Sequence, residues 1–197
     1  MFIFRKENIM SKVKFLIAVD MQNDFIDGAL GSKEAQAIVP NVKKKVEEYV
    51  KNNDFIIYTR DTHFLDNYFK TKEGQKLPVP HCIKDTPGWQ INQEVMPPEG
   101  YDKYTIINKP SFGLYSLPKE VDHIACASGD DFPTVEIELV GLCTDICVVN
   151  NAILLKSYFY NIGDVSVDAT CCAGITPELH EAALMVMNSS QIDIKRG

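Results

Sequence analysis

The chain has 197 residues, which at roughly 100–200 per domain makes one domain, or two only if both are small. Its 27 acidic and 20 basic residues give a net charge of −7, so it has no global positive field for a polyphosphate backbone, and nucleic acid is excluded as the main partner. Apolar residues make up 45% and charged ones 24%, the balance of an ordinary folded domain, which excludes wholesale disorder.

No apolar run approaches the roughly 20 residues that cross a bilayer, so no membrane partner is expected. The opening MFIFRKENIM has two basic residues but neither the apolar stretch nor the small-residue cleavage site of a signal peptide. Residues 1–10 read as an extension and 11–197 as the domain, with Met10-Ser11-Lys12 as a second plausible start. A cytoplasmic, reducing setting follows. The six cysteines (82, 126, 143, 147, 171, 172) then serve as core, catalytic or metal-binding residues and not as disulfides.

In chain order, residues 13–19 (VKFLIAV) form a short apolar run closed by Asp20, a buried parallel strand. A helix follows near Pro40, with apolar residues at 39, 42, 46, 49 and 50 and the proline near its first turn. A second strand (54–59) ends at Arg60-Asp61, and a third (104–108) ends at Lys109. Between them lie about forty residues with five prolines, two of the four histidines and the only tryptophan. A connection that long points to function. Residues 116–133 hold one or two helical turns and a flexible SGDDFP hinge. A fourth strand (134–142), a helix (144–160), a fifth strand (164–169), a helix (177–189) and a short last strand (191–194) complete the chain. This alternation predicts an α/β fold: a single-domain, doubly wound, mostly parallel sheet flanked by helices. Ligands then bind beyond the carboxyl ends of the strands.

That edge carries Asp20, Asp61, Lys109 and the Gly141-Leu142-Cys143 turn leading to Cys147. Cys147 falls in the first turn of a helix, where free N–H groups and partial positive charge depress a thiol pKa and can hold an oxyanion. A cysteine there is otherwise a small buried hydrophobe. Asp20 can take the thiol proton, and Lys109 can keep that carboxylate ionised. Asp61-Thr62-His63 puts a carboxylate and an imidazole on one face of extended chain. His81 follows a stiff Pro-Val-Pro. Two histidines and a carboxylate suit Zn²⁺, and also Fe²⁺ or Mn²⁺.

The segments VDMQNDF (19–25), TRDTH (59–63), PHC and TPG (80–88), NKPSFG (108–113) and GLCTDICV (141–148) together resemble the isochorismatase-like cysteine hydrolases. Within that family the nicotinamidases are the most similar branch. The resemblance implies that Asp20, Lys109 and Cys147 form a triad. It implies an oxyanion hole from the backbone N–H groups of Cys143 and Cys147, with a cis peptide between Leu142 and Cys143. It implies one divalent metal, Zn²⁺ first, held by Asp61, His63 and His81, with Glu73 as the remaining ligand and Asp66 behind it. The isochorismatase branch lacks both the nucleophilic cysteine and the metal set. The activity implied is hydrolysis of a small primary amide, nicotinamide first, through a thioester. The alternatives are a carbamoyl or ureido substrate, or a non-catalytic redox-sensing thiol. A homo-oligomer, dimer or tetramer, is also implied. The family's aromatic residue three before the metal histidine is Pro78 here, which leaves Phe25, Phe112 and Trp89 as candidate walls for the substrate.

Overall fold

The computed structural model describes residues 12–128 and 133–197; the 1–10 extension and most of the 128–133 hinge lie outside the described residues. Six strands form the core: β1 (Lys12–Val19), β2 (Phe55–Asp61), β3 (Tyr104–Lys109), β4 (Thr134–Leu142), β5 (Gly163–Ala173) and β6 (Asp193–Lys195). They make one sheet in the order β3-β2-β1-β4-β5-β6, with every pairing parallel. The helices are α1 (Asn23–Ile26), α2 (Lys33–Lys51), α3 (Lys72–Lys76), α4 (Leu117–Ala127), α5 (Val149–Tyr158) and α6 (Pro177–Ser189).

Strand alternation sends β1 side chains to two cores. Phe15, Ile17 and Val19 pack with Leu117 and Val121 of α4, Leu155 of α5 and Leu184 of α6. Leu16 and Ala18 pack with α2 and with Ile91 and Val95 of the long connection. Both faces are therefore covered, which is why these strands read as nearly unbroken apolar runs.

Four elements differ from their sequence expectation. Helix α2 starts at Lys33, where Ser32 accepts a hydrogen bond from the Ala35 amide, so Pro40 lies inside the helix. An internal proline costs about 3 kcal/mol. Burial of Ala35, Ile38, Val39, Val42, Val46 and Tyr49 outweighs it, since each full-sized apolar side chain contributes roughly 1.5–3 kcal/mol. Helix α4 has three turns, because Leu117, Val121 and Ala125 keep one buried stripe. Residues 144–158 divide into a wide turn, Thr144–Val148, and α5. Strand β5 runs on to Ala173, because it pairs with β4 a second time at Gly141 and Leu142.

Gly141 sits at that irregularity with φ +118°, and a Cβ there would lie 2.1 Å from the Val19 carbonyl oxygen. Gly141→Ala is therefore expected to destabilise the fold by at least about 2 kcal/mol in urea unfolding. A change within about 0.5 kcal/mol would mean that the β1–β4 contact yields to a methyl group at little cost.

Candidate active site

The carboxyl edge of the sheet collects the candidates because the register aligns their strands. Val19 pairs with Thr59 on one side and Gly141 on the other, and Asp61 pairs with Lys109. Asp20 follows β1 in the left-handed region, φ +48°, a conformation that aspartate tolerates better than most side chains. The Leu142–Cys143 peptide is cis, as expected.

Asp20 and Lys109 are fully buried, and they meet at 2.7 Å between Oδ2 and Nζ. Lys109 Nζ also lies 3.5 Å from Cys147 Sγ and donates to the Ser111 carbonyl at 2.9 Å. The Thr59 hydroxyl donates to Asp20 Oδ1 at 2.8 Å. Among the described residues no donor meets Asp20 Oδ2 at hydrogen-bonding angles, so that oxygen keeps a lone pair despite the nearby ammonium. The three side chains are thus one contiguous group.

The electrostatics differ from the expectation of a depressed thiol. Burial pushes Cys147 well above the ordinary cysteine range, the Asp20 carboxylate adds to this, and Lys109 only partly opposes it. Burial also raises Asp20, against the pull of Lys109. Desolvation outweighs the helix-end field, so the resting pair is a neutral thiol facing a strengthened base.

Asp61 links this group to a second one. Its Oδ1 lies 3.7 Å from Lys109 Nζ, and its Oδ2 lies 2.9 Å from His63 Nε2 and 3.6 Å from His81 Nε2. Glu73 Oε1 lies 3.8 and 3.6 Å from the same two imidazole nitrogens. One ligand atom from each of Asp61, His63, Glu73 and His81 falls within 4.8 Å of all the others. Ligand atoms about 2.1 Å from a tetrahedral ion stand roughly 3.4 Å apart, so this two-imidazole, two-carboxylate set fits a divalent cation. The set also calls for positive charge at its centre. Burial alone would lower His81, but hydrogen bonds to Asp61, Glu73 and the Val79 carbonyl push it up to about 10. Asp61 is held well below the carboxylate range by His63, His81 and Lys109, against its burial. Asp66, the second choice for the fourth ligand, is outside the cluster.

Several positioning residues are not evident from the sequence. Gln22 accepts from the Asp61 amide at 2.7 Å and donates to the Asp61 and Trp89 carbonyls, clamping the strand end. The buried Tyr68 hydroxyl lies 3.1 Å from His81 Nδ1 and 2.8 Å from the Leu77 and Val79 carbonyls. Asn151 donates to the Cys147 and Phe112 carbonyls and accepts from the Leu114 amide.

Phe25 and Phe112 line a cavity of about 440 Å³ together with Cys147, Asp61, Glu73 and His81. Trp89 does not line it. Its ring lies under the Arg60 guanidinium at 3.4 Å, and its Nε1 donates to Thr62 Oγ1, so it braces β2 from behind. All six cysteines are free. No described helix is long and apolar enough to cross a membrane.

The isochorismatase-domain family matches residues 14–194. A pyrazinamidase of Pyrococcus horikoshii, solved in complex with zinc, is 27% identical, with a TM-score of 0.74 over 93% of this chain and 99% of that one. An N-carbamoylsarcosine amidase of Thermoplasma acidophilum is 26% identical, with a TM-score of 0.70 over 93% and 96%. A protein of Arabidopsis thaliana named as a probable inactive nicotinamidase is 27% identical over 186 residues, 88% of this chain and 87% of that protein. With the family spanning nearly the whole described fold, this chain belongs to the isochorismatase family of hydrolases.

Proposed function

We propose that the chain is a cysteine amidohydrolase of small primary carboxamides, with nicotinamide, cleaved to nicotinate and ammonia, as the leading substrate. The observation that carries this reading is the buried Lys109 ammonium, 2.7 Å from Asp20 and 3.5 Å from Cys147. A solvated loop lysine has no reason to be there. A redox-sensing thiol needs no such base.

In this reading Asp20 takes the Cys147 proton as the sulfur attacks the amide carbon and the C–S bond forms. The backbone N–H groups of Cys143 and Cys147 hold the oxyanion; the Cys143 amide has no other partner among the described residues. Collapse breaks the C–N bond, and the proton on Asp20 leaves with ammonia. A water deprotonated by Asp20 then hydrolyses the thioester, releasing the acid and the thiol. Asp61, His63, Glu73 and His81 would hold a divalent ion, Zn²⁺ first. When bound, it supplies Lewis-acid orientation of a ring nitrogen. The similarity to a carbamoylsarcosine amidase and the loss of an aromatic at Pro78 favour a ureido or carbamoyl compound as the second substrate choice.

Ammonia release from a panel of nicotinamide, aliphatic amides and ureido acids, with metal analysis of the same sample, tests the reading. About one equivalent of metal and turnover of nicotinamide are expected. His81→Ala should lose the metal and cut nicotinamide turnover about 10–100-fold more than that of an aliphatic amide, which has no ring nitrogen to orient. Robust nicotinamide hydrolysis with far less than one equivalent of any transition metal would remove the ion from the mechanism.

A further inference from the structure

The cavity beside Cys147 is larger and more apolar than a single-ring carboxamide needs. Its volume of about 440 Å³ lies in the range of roughly 300–1,000 Å³ that holds drug-sized ligands. Apart from the two thiols, its polar lining is limited to Asp61, Glu73 and His81 of the ligand cluster, Ser32 and Lys76. Away from these the walls are Leu30, Leu77, Ile146 and Ile175, together with Phe25 and Phe112. Two of them are left in water: Ile175 is 58% exposed and Phe112 46% exposed. An apolar wall open beside a nucleophile gains free energy when a ligand in the cavity covers it.

We infer that the amide this site takes carries an apolar arm on its acyl half, an alkyl or aryl extension beyond one ring, lying along Leu30, Leu77, Ile146 and Ile175. The inference rests on the amidohydrolase reading above and narrows it to extended primary carboxamides. Leu77, one residue before Pro78, supplies an aliphatic wall and no ring face, which suits a flexible arm better than a stacked heterocycle.

The test is ammonia release by the purified full-length chain from butanamide, hexanamide and octanamide, and from nicotinamide with and without 5-alkyl substituents. Alongside it, calorimetry follows binding of the same compounds to the Cys147→Ala variant. Each added methylene that reaches the wall should raise kcat/KM about fourfold until the cavity is full. Ile175→Ser, at an exposed position that the core does not depend on, should lower kcat/KM for the longest amide about tenfold more than for nicotinamide. Nicotinamide turnover with flat or falling kcat/KM along both series overturns the extended-arm inference and leaves the amidohydrolase standing. Length-dependent binding to Cys147→Ala with no ammonia from any compound overturns the amidohydrolase instead, and supports the cavity as the seat of an apolar arm.

Discussion

Cys147→Ala is expected to lower amide turnover by at least about 10⁴-fold with the fold unchanged, while Cys143→Ala keeps turnover within about tenfold of the parent. Both thiols border the same cavity, so proximity does not separate them. Their surroundings do. Cys147 Sγ faces Lys109 Nζ at 3.5 Å, and the Asp20 carboxylate beside that ammonium acts on the thiol electrostatically. Cys143 packs with the α2-side core, burial pushes its thiol up to about 12, and among the described residues it has no side-chain hydrogen-bond partner. In the proposed mechanism Cys143 contributes only its backbone amide, which alanine keeps. Circular dichroism and urea unfolding of both variants separate chemical loss from misfolding. Equal losses in two natively folded variants would show that the nucleophile is not Cys147 alone.

The strand ends were readable because a parallel strand covered on both faces is an apolar run, and the polar residue that stops it marks the sheet edge. Asp20 stops the run of β1 directly, and Asp61 and Lys109 close β2 and β3 within three residues of the last apolar one. Cys147 was placed by the strand it follows. Glu73 was harder: it lies on a five-residue helix in a forty-residue connection, where no periodicity fixes orientation, and resemblance supplied it. Trp89, a candidate wall for the substrate, lies off the cavity. An aromatic in a loop carries no sign of its direction, and here its N–H partner Thr62 and the Arg60 cation set it. Thr59 is a polar residue near the end of the apolar run of β2, and only the register that sets it beside Val19, one step before Asp20, shows its role. Gln22 and Tyr68 had none, since their roles exist only through carbonyls brought near by tertiary folding. The thiol's pKa direction was also beyond the sequence. The helix end is local and can be read from the order of residues, whereas desolvation depends on everything packed around the sulfur.

Lys109→Met tests whether the buried cation organises this chemistry. Methionine nearly keeps the volume, so the change removes charge with little cavity. It leaves the Asp20 carboxylate buried with Thr59 as its one side-chain donor among the described residues. Burial already raises Asp20, and Lys109 is the principal group opposing that rise, so its loss raises Asp20 further. The variant's Asp20 then holds its proton to a higher pH than the parent's and is available as a base over a narrower range. Turnover should fall about 10³-fold, and the acid limb of the kcat/KM profile should move to higher pH by about one unit or more. Stability carries an independent sign. A carboxyl whose folded pKa exceeds its unfolded value binds more protons when folded, so its contribution is present at low pH and is lost as pH rises through the folded pKa. Lys109→Met should therefore unfold more easily at pH 8 than at pH 5, beyond any such trend in the parent. Removing one member of a buried ion pair can cost about 3–5 kcal/mol, and protonation of Asp20 should recover part of that on the acid side. Asp20→Asn combined with Lys109→Met should cost less than the sum of the single changes, because the pair acts as a unit. An unshifted acid limb with additive losses would leave Lys109 a packing residue and place the base elsewhere.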